Sequence, residues 1–493
     1  MRELYKPGIL IKLLMKKEDT QDVKAAIPSG KSKFPLPRYE APARPKRIVK
    51  KRSSGRKILF RAVAVLAIVL LSSGGFLAWK GYVKLHKVFR GTSTVAALSS
   101  KPVMPDLLKG EGDGRVNILL LGIGGPGHDR PDMTDTMVVL SVDPVNNTAT
   151  MLSIPRDLWV KMPVNYFGSV QKINAAYESG KYHYAGKLDP TNQNGAAIQA
   201  GFAAVDETIN MVLGVHIDYH MLVDFQAFRQ AVDTVGGVTI NVPTELYDPT
   251  MEWENHNNPV LATAGVQQMD GVKALLYARS RETTSDFARA ERQRQILVAL
   301  KDKMLNLDTL SNPTKIAGLM DAFGDNLYSD LSTQGASRLM GIMRKIDDTK
   351  IASVGLTNPP HVLVTTDHVG TTSVVRPVAG FNNYDDIQTF VRSQLPDGYI
   401  VKENAPVDVV GYTTAAATQT TALLKTYGYN VISSTTTVAA TMTPTLVDLS
   451  KGGDPYTKHY LEDRYGLQAI TSLPTGVSAS AVAGAKFVII GVK

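Results

Sequence analysis

Apolar positions recur along this chain with two periods, and the alternation between them predicts the layout. Short, nearly continuous apolar runs at Asn117–Leu121, Thr136–Val142 and Thr148–Ile154 read as strands. The last two are joined by Asp143-Pro144-Val145-Asn146-Asn147, a turn sequence. Gly195–Leu213 sets Ile198, Phe202, Val205, Ile209 and Val212 at helical spacing. Asp218–Phe225 alternates as a strand does, Phe225–Val235 reads as a short helix and Val238–Val242 as another strand. Helical patterning continues to about Ile346. Strands interleaved with helices predict an α/β fold: an α-β-α domain with a central mixed sheet over residues 116–350.

A composition shift follows. Residues 351–404, with Pro359-Pro360, Thr365-Thr366 and Asn382-Asn383, read as a closing strand plus linker. A small C-terminal α/β domain is expected over 405–493. Its strands are Pro406–Val410, Asn430–Ser433, Thr445–Leu449 and Ala485–Val492, and its helices Ala415–Tyr427 and Pro455–Tyr465.

The N-terminal part follows neither period. Ala62–Trp79 has no charged residue, and Ile58, Leu59 and Phe60 extend the run past Arg61. At about 1.5 Å per residue it spans roughly 30 Å, the thickness of a bilayer's hydrocarbon core. Residues 58–79 therefore read as a single transmembrane helix. Residues 1–57 hold 17 Lys and Arg against 5 Asp and Glu, so this tail is +12, the rest of the chain is −3, and the whole is +9. Positive charge stays on the cytoplasmic side, which puts the tail inside and the C-terminal domains outside the cell membrane. The tail is rich in Pro and Lys, lacks the apolar content for a core and reads as disordered. Beside a membrane span such a run reads as an orientation signal and a contact for anionic lipid, so no nucleic-acid partner is expected. Residues 80–115 read as a polar stalk ending in Gly110-Glu111-Gly112-Asp113-Gly114.

The chain has no cysteine, which excludes disulfides, zinc–thiolate sites and a cysteine nucleophile. An exported part of about 375 residues must then stand on its hydrophobic core alone.

One block carries most of the candidate chemistry. Leu276–Arg281 and Ser285–Gln293 gather Arg279, Arg281, Arg289 and Arg292 into fourteen residues. Planar guanidinium forks grip two oxygens at once, which suits a doubly charged oxyanion such as pyrophosphate. Arg279 and Arg281 are two apart and share a face if the segment is extended. Asp286, Arg289 and Gln293 fall at i, i+3 and i+7 on one helix face, with Ser285 or Asp286 as N-cap. The competing reading is a surface helix laced with ion pairs, since Glu282 and Glu291 are near.

Three further segments are weaker signals. Leu121–Thr136 leaves a strand through a Gly-rich loop bearing Asp129, Asp132 and Asp135, oxygen ligands of the kind Mg²⁺ prefers. Arg156-Asp157 ends the third strand, where ligands often meet such sheets. Lys172 adds a cation at the entry to a helix.

Taken together these segments resemble the LytR-CpsA-Psr family. The resemblance rests on Asn117–Gly122, Thr134–Met137, Leu152–Asp157, Lys172–Tyr177, Val223–Phe225, Val235–Val238, Met269–Gly271 and the arginine block, in the family's order. The stretch from about 405 resembles the small LytR-type domain often appended to such proteins. The resemblance implies an enzyme, a phosphotransferase moving a phosphoglycan from a polyprenyl-pyrophosphate carrier to a cell-wall hydroxyl, usually on peptidoglycan, with Mg²⁺ (or Mn²⁺). It implies Asp135 as metal ligand and Arg156, Arg279, Arg281 and Arg289 as the pyrophosphate grip, with Lys172, Arg292 and Gln293 completing the pocket. Asp157 or Asp286 is expected to take the acceptor's proton or to orient an arginine. The chain departs from the family pattern at Gly124, where an aspartate is usual, and at Met133, where an arginine is usual. Asp129 or Asp132, and Arg130, are the expected replacements. The prenyl chain is expected in an apolar slot lined by helices around 198–212 and 225–235. The competing functions are a non-catalytic binder of lipid-linked or wall glycan, and a membrane-bound regulator.

Overall fold

The structure, a computed structural model, describes residues 89–91, 95–99, 103–163, 168–185, 195–280, 286–305, 318, 319, 324, 326–357, 361–433 and 437–492. Its centre is a six-stranded mixed sheet built from β1 (Val116–Ile123), β2 (Thr134–Asp143), β3 (Thr148–Ser153), β4 (Tyr219–Asp224), β5 (Leu327–Ser329) and β6 (Ile351–Gly355), in the order β5-β4-β1-β2-β3-β6. The hairpin pairs β1–β2 and β2–β3 are antiparallel, while β1–β4 and β3–β6 are parallel.

Side-chain alternation explains why the central strands read as near-continuous apolar runs. Leu119 and Leu121 of β1 face one layer together with Met137, Val139 and Leu152. Val116 and Ile118 face the other, with Val138, Val142 and Met151. A sheet covered on both faces needs apolar residues at both parities. Helix α1 (Ala176–Ala185) and helix α2 (Gly195–Leu213) belong to the first layer, where Phe202, Val205 and Ile209 are fully buried. Burial of a side chain the size of Phe202 stabilises the fold by about 1.5–3 kcal/mol. These side chains are closed into the core, so they do not line the open prenyl slot expected of this helix. Helix α3 (Phe225–Thr234) is capped by Asp224, whose carboxylate accepts from the Ala227 amide at 2.7 Å.

Helix α4 (Gly271–Arg279) corrects the expectation of an extended segment at Arg279. Asp270 caps it by accepting from the Lys273 amide at 2.8 Å, so Arg279 is the last residue of a helix. A cation there also complements the helix C-terminus. Helix α5 (Asp286–Leu305) follows, and Arg281 and Ser285 lie outside the described residues, as do the side-chain contacts of Asp286.

Two segments expected to be linkers are structured. Residues 364–369 and 372–377 form a hairpin, whose Val375 amide donates to the Asp157 carbonyl at 2.9 Å and so pins the loop after β3. The segment read as a stalk packs as it runs: Leu98 is buried with the central sheet, and Val103 and Leu108 in the core of the small domain. Asp397, 2% exposed, accepts from the Gly112 and Gly114 amides and the Tyr460 hydroxyl, tying this segment to the small domain. That domain has four strands in the order Asn430–Ser433, Pro406–Gly411, Phe487–Val492, Thr445–Asp448. All described residues fall in one compact unit, Leu70–Lys493. Among them no helix is long and apolar enough to cross a membrane, and Ala62–Trp79 lies outside them.

Candidate functional site

The antiparallel register decides which residues meet. Val138 of β2 stands opposite Ser153 of β3. Three residues beyond that pair in each direction are Asp135 and Arg156, and their side chains form an ion pair. The loop carrying Arg156 is fixed by the Asn174 amide, which donates to the Arg156 carbonyl at 3.2 Å, and by the Ile173 amide on the Leu158 carbonyl at 2.7 Å. Asp157 lies between two cations, 3.6 Å from Arg156 Nε and 2.7 Å from Lys172 Nζ.

Asp135 and Arg156 line a cavity of about 260 Å³ together with Arg279, Arg289 and Gln293. Arg279 lies 2.7 Å from Glu254 and 4.5 Å over the ring of Phe225. Arg289 and Gln293, one turn apart on α5, are 5% and 8% exposed. Among the described residues the buried Oε1 of Gln293 has no hydrogen-bond partner, so the wall offers an acceptor atom to an incoming hydroxyl or amide. The cavity is completed by Asp248 and by the turn Pro249–Asn255, which contributes Thr250, Met251, Trp253 and Glu254. Sequence reasoning missed this turn: it has neither period, and its one available signal is a tryptophan flanked by two glutamates.

Other expected site residues stand elsewhere. Arg292 supports the wall without lining it. Its Nε donates to the Tyr277 carbonyl at 2.9 Å and its Nη2 to the Ser280 carbonyl, closing the C-terminal end of α4. Burial first, and the neighbouring Arg289 charge after it, push its guanidinium down to about 10, against a favourable Tyr277 contribution. Lys172 reaches the cavity only through Asp157 and Arg156. The Gly-rich loop holds its charges away from the cavity: Arg130 pairs with Glu178 at 2.8 Å and its side chain is 60% exposed, Asp129 is exposed, and Asp132 is buried against Lys181 at 2.6 Å. None of the three lines the cavity. Gly124 itself has no room for a side chain, since a Cβ there would lie 2.8 Å from the His128 ring. Among the described residues no group of three or more His, Asp or Glu gathers as a ready metal cage.

A cavity walled by three arginines, two of them paired with Asp135 and Glu254 and the third beside Gln293, offers the planar donors that a phosphorylated anion takes. A family model described as the LytR_cpsA_psr family matches residues 83–375, more than half of the chain. The chain belongs to this family. The match begins within the segment read as a stalk and ends in the 364–377 hairpin, so the small C-terminal domain lies outside it. Among the similar curated proteins is the polyisoprenyl-teichoic acid–peptidoglycan teichoic acid transferase TagV of Bacillus subtilis, 30% identical over 308 residues that cover 61% of this chain and 71% of the relative. The corresponding transferase TagU of Oceanobacillus iheyensis is 30% identical over 290 residues, covering 56% of this chain and 78% of the relative. Among solved structures, the crystal structure of B. subtilis TagV is similar at 27% identity and a TM-score of 0.43, covering 57% of this chain and 97% of that one.

Proposed function

We propose that this LytR-CpsA-Psr protein is a membrane-tethered transferase of cell-wall glycopolymers, moving a phosphoglycan from a polyprenyl-pyrophosphate carrier to a peptidoglycan hydroxyl. The observation that carries the reading is the convergence of Arg156, Arg279 and Arg289 on one cavity with Asp135. Two curated relatives named as polyisoprenyl-teichoic acid–peptidoglycan transferases support the same reaction class.

The chemistry follows from the side chains. When the acceptor oxygen bonds to the glycan-linked phosphorus, the bond to the carrier's phosphate breaks and negative charge builds on the leaving group. Phosphoryl transfer of this kind depends on positioning and charge neutralisation. Arg156, Arg279 and Arg289 neutralise the diphosphate, and Lys172 and Asp157 hold Arg156 at its station. Asp157 faces two cations and so orients rather than accepts a proton. We assign the acceptor's proton to Asp286, one turn before Arg289 at the start of α5. Arg281, two residues after Arg279 in the sequence, is assigned to the same grip by the family resemblance.

The donor set fits Mg²⁺ (or Mn²⁺) held by Asp135 and completed by phosphate oxygens, because Mg²⁺ commonly uses one or two carboxylates plus substrate. Bound there, the ion supplies further charge neutralisation on the diphosphate. The tether is the apolar run Ala62–Trp79, with the C-terminal domains outside the cell. Purified full-length chain, given labelled lipid-linked glycan and peptidoglycan, tests the reading. Transfer that stops in EDTA and returns with Mg²⁺ is expected, and turnover indifferent to EDTA would remove the metal from it.

A further inference from the structure

We propose that Trp253 and the turn that carries it form the docking subsite for the acceptor glycan, with an N-acetylated amino sugar of the wall stacked on the indole. This rests on the transferase reading of the cavity and adds the place of the second substrate.

Trp253 lines the same cavity as Arg156, Arg279 and Arg289, yet it is 72% exposed. An indole is a large apolar surface, and leaving one in water forgoes the burial that stabilises folds. The exposure comes from a built turn. Asp248, 1% exposed, accepts from the Thr250 amide at 3.1 Å, from its hydroxyl at 2.6 Å and from the Ser280 hydroxyl at 2.7 Å. Met251 is buried in the core beneath. The Glu252 carbonyl accepts from the Asn257 amide at 2.8 Å, and Glu254 pairs with Arg279. The backbone around Trp253 is thus fixed at both ends, and the ring is presented beside the cation that faces the leaving group.

Charge decides among the molecules that could rest on the indole. Glu252 and Glu254 flank it. Two carboxylates disfavour the phosphate-bearing donor there. An isoprenoid chain needs a wholly apolar wall, which this turn lacks. A neutral sugar has both features the turn can use: a face of C–H groups for the aromatic plane, and hydroxyl and amide groups for Glu252 and the following Asn257 and Asn258, both of them exposed. The donor's diphosphate and the acceptor's hydroxyl then meet at the cavity mouth.

Calorimetric titration of the full-length chain with N-acetylchitotetraose, and separately with inorganic pyrophosphate, tests this. Trp253→Ala is expected to weaken oligosaccharide binding about tenfold, while Trp253→Tyr keeps most of it and neither variant changes pyrophosphate binding or the melting temperature. In transfer assays Trp253→Ala raises the acceptor's KM and leaves kcat near its starting value. Wild-type chain that does not bind the oligosaccharide, or Trp253→Ala that binds it as wild type does, overturns the proposal. Oligosaccharide binding lost in Trp253→Ala, in a chain that never binds pyrophosphate, would sink the transferase reading and leave the glycan subsite standing.

Discussion

The carboxylate of Glu254 lies 2.7 Å from the guanidinium of Arg279, so one of the cavity's cations is already neutralised in the resting protein. An arriving diphosphate must displace that carboxylate or share the arginine with it. Side-chain exposures of 25% and 23% leave the pair partly screened by water, which keeps the exchange inexpensive.

The first prediction concerns this pair. Glu254→Gln removes the competing charge and keeps the shape. Affinity for inorganic pyrophosphate should rise about fivefold, equivalent to ~1 kcal/mol, as read by calorimetry. An unchanged affinity would mean that Arg279 is not a ligand of the anion.

Arg292 gives a prediction of a different kind. Its guanidinium holds two backbone carbonyls at the end of α4 and does not line the cavity. Arg292→Ala leaves those carbonyls without their donor and should cost about 2–4 kcal/mol of stability. Arg279→Ala, made on the partly exposed neighbour, should melt within a degree or two of wild type. Thermal unfolding of both variants separates the supporting arginine from the binding one.

His220 predicts a pH dependence. It is stacked on Phe202 and bonded to Asp330 at 2.6 Å and Asp206 at 2.8 Å. Burial alone would lower its pKa, but the two carboxylates overcome this and raise it from 6.5 to about 9. A raised histidine pKa contributes stability that is fully present below the unfolded value of 6.5 and is lost as pH rises through about 9. The contribution is on the order of 3 kcal/mol. Denaturant titrations between pH 6 and 10 should show that loss in wild type, with a flatter profile in His220→Gln.

Gly124 supplies the last. A side chain there meets Cβ and the ring of His128, so Gly124→Asp should destabilise the fold by about 1–3 kcal/mol, and His128→Gly in the same chain should recover most of it. The double variant places a second carboxylate near Asp135 and should bind Mn²⁺ more tightly than wild type, as followed by electron paramagnetic resonance.

How legible all this was depended on local signals. The central strands are readable because both faces are buried; Asp135 and Arg156 stand out only through the family resemblance, and their meeting depends on an antiparallel register that spacing alone does not give. The helical end at Arg279 is hidden by its neighbours: its cap, Asp270, stands nine residues away, and two arginines two apart fit an extended segment equally well. Leu98, Val103 and Leu108 were lost among polar neighbours, since irregular turns bury single side chains without any period. Asp129 and Arg130 were near the right residues in sequence, but the glycine loop turns them to solvent and to Glu178. The Pro249–Asn255 turn has no periodic signal at all, although it supplies Thr250, Met251, Trp253 and Glu254 to the cavity wall.

The most direct measurement is the rate at which purified Arg156→Ala and Arg279→Ala chains move labelled glycan from a polyprenyl-pyrophosphate donor to peptidoglycan. Each should fall by a factor of about 100 or more in kcat/KM while remaining folded. Either variant turning over at the wild-type rate would contradict the claim that these guanidinium groups together hold the diphosphate.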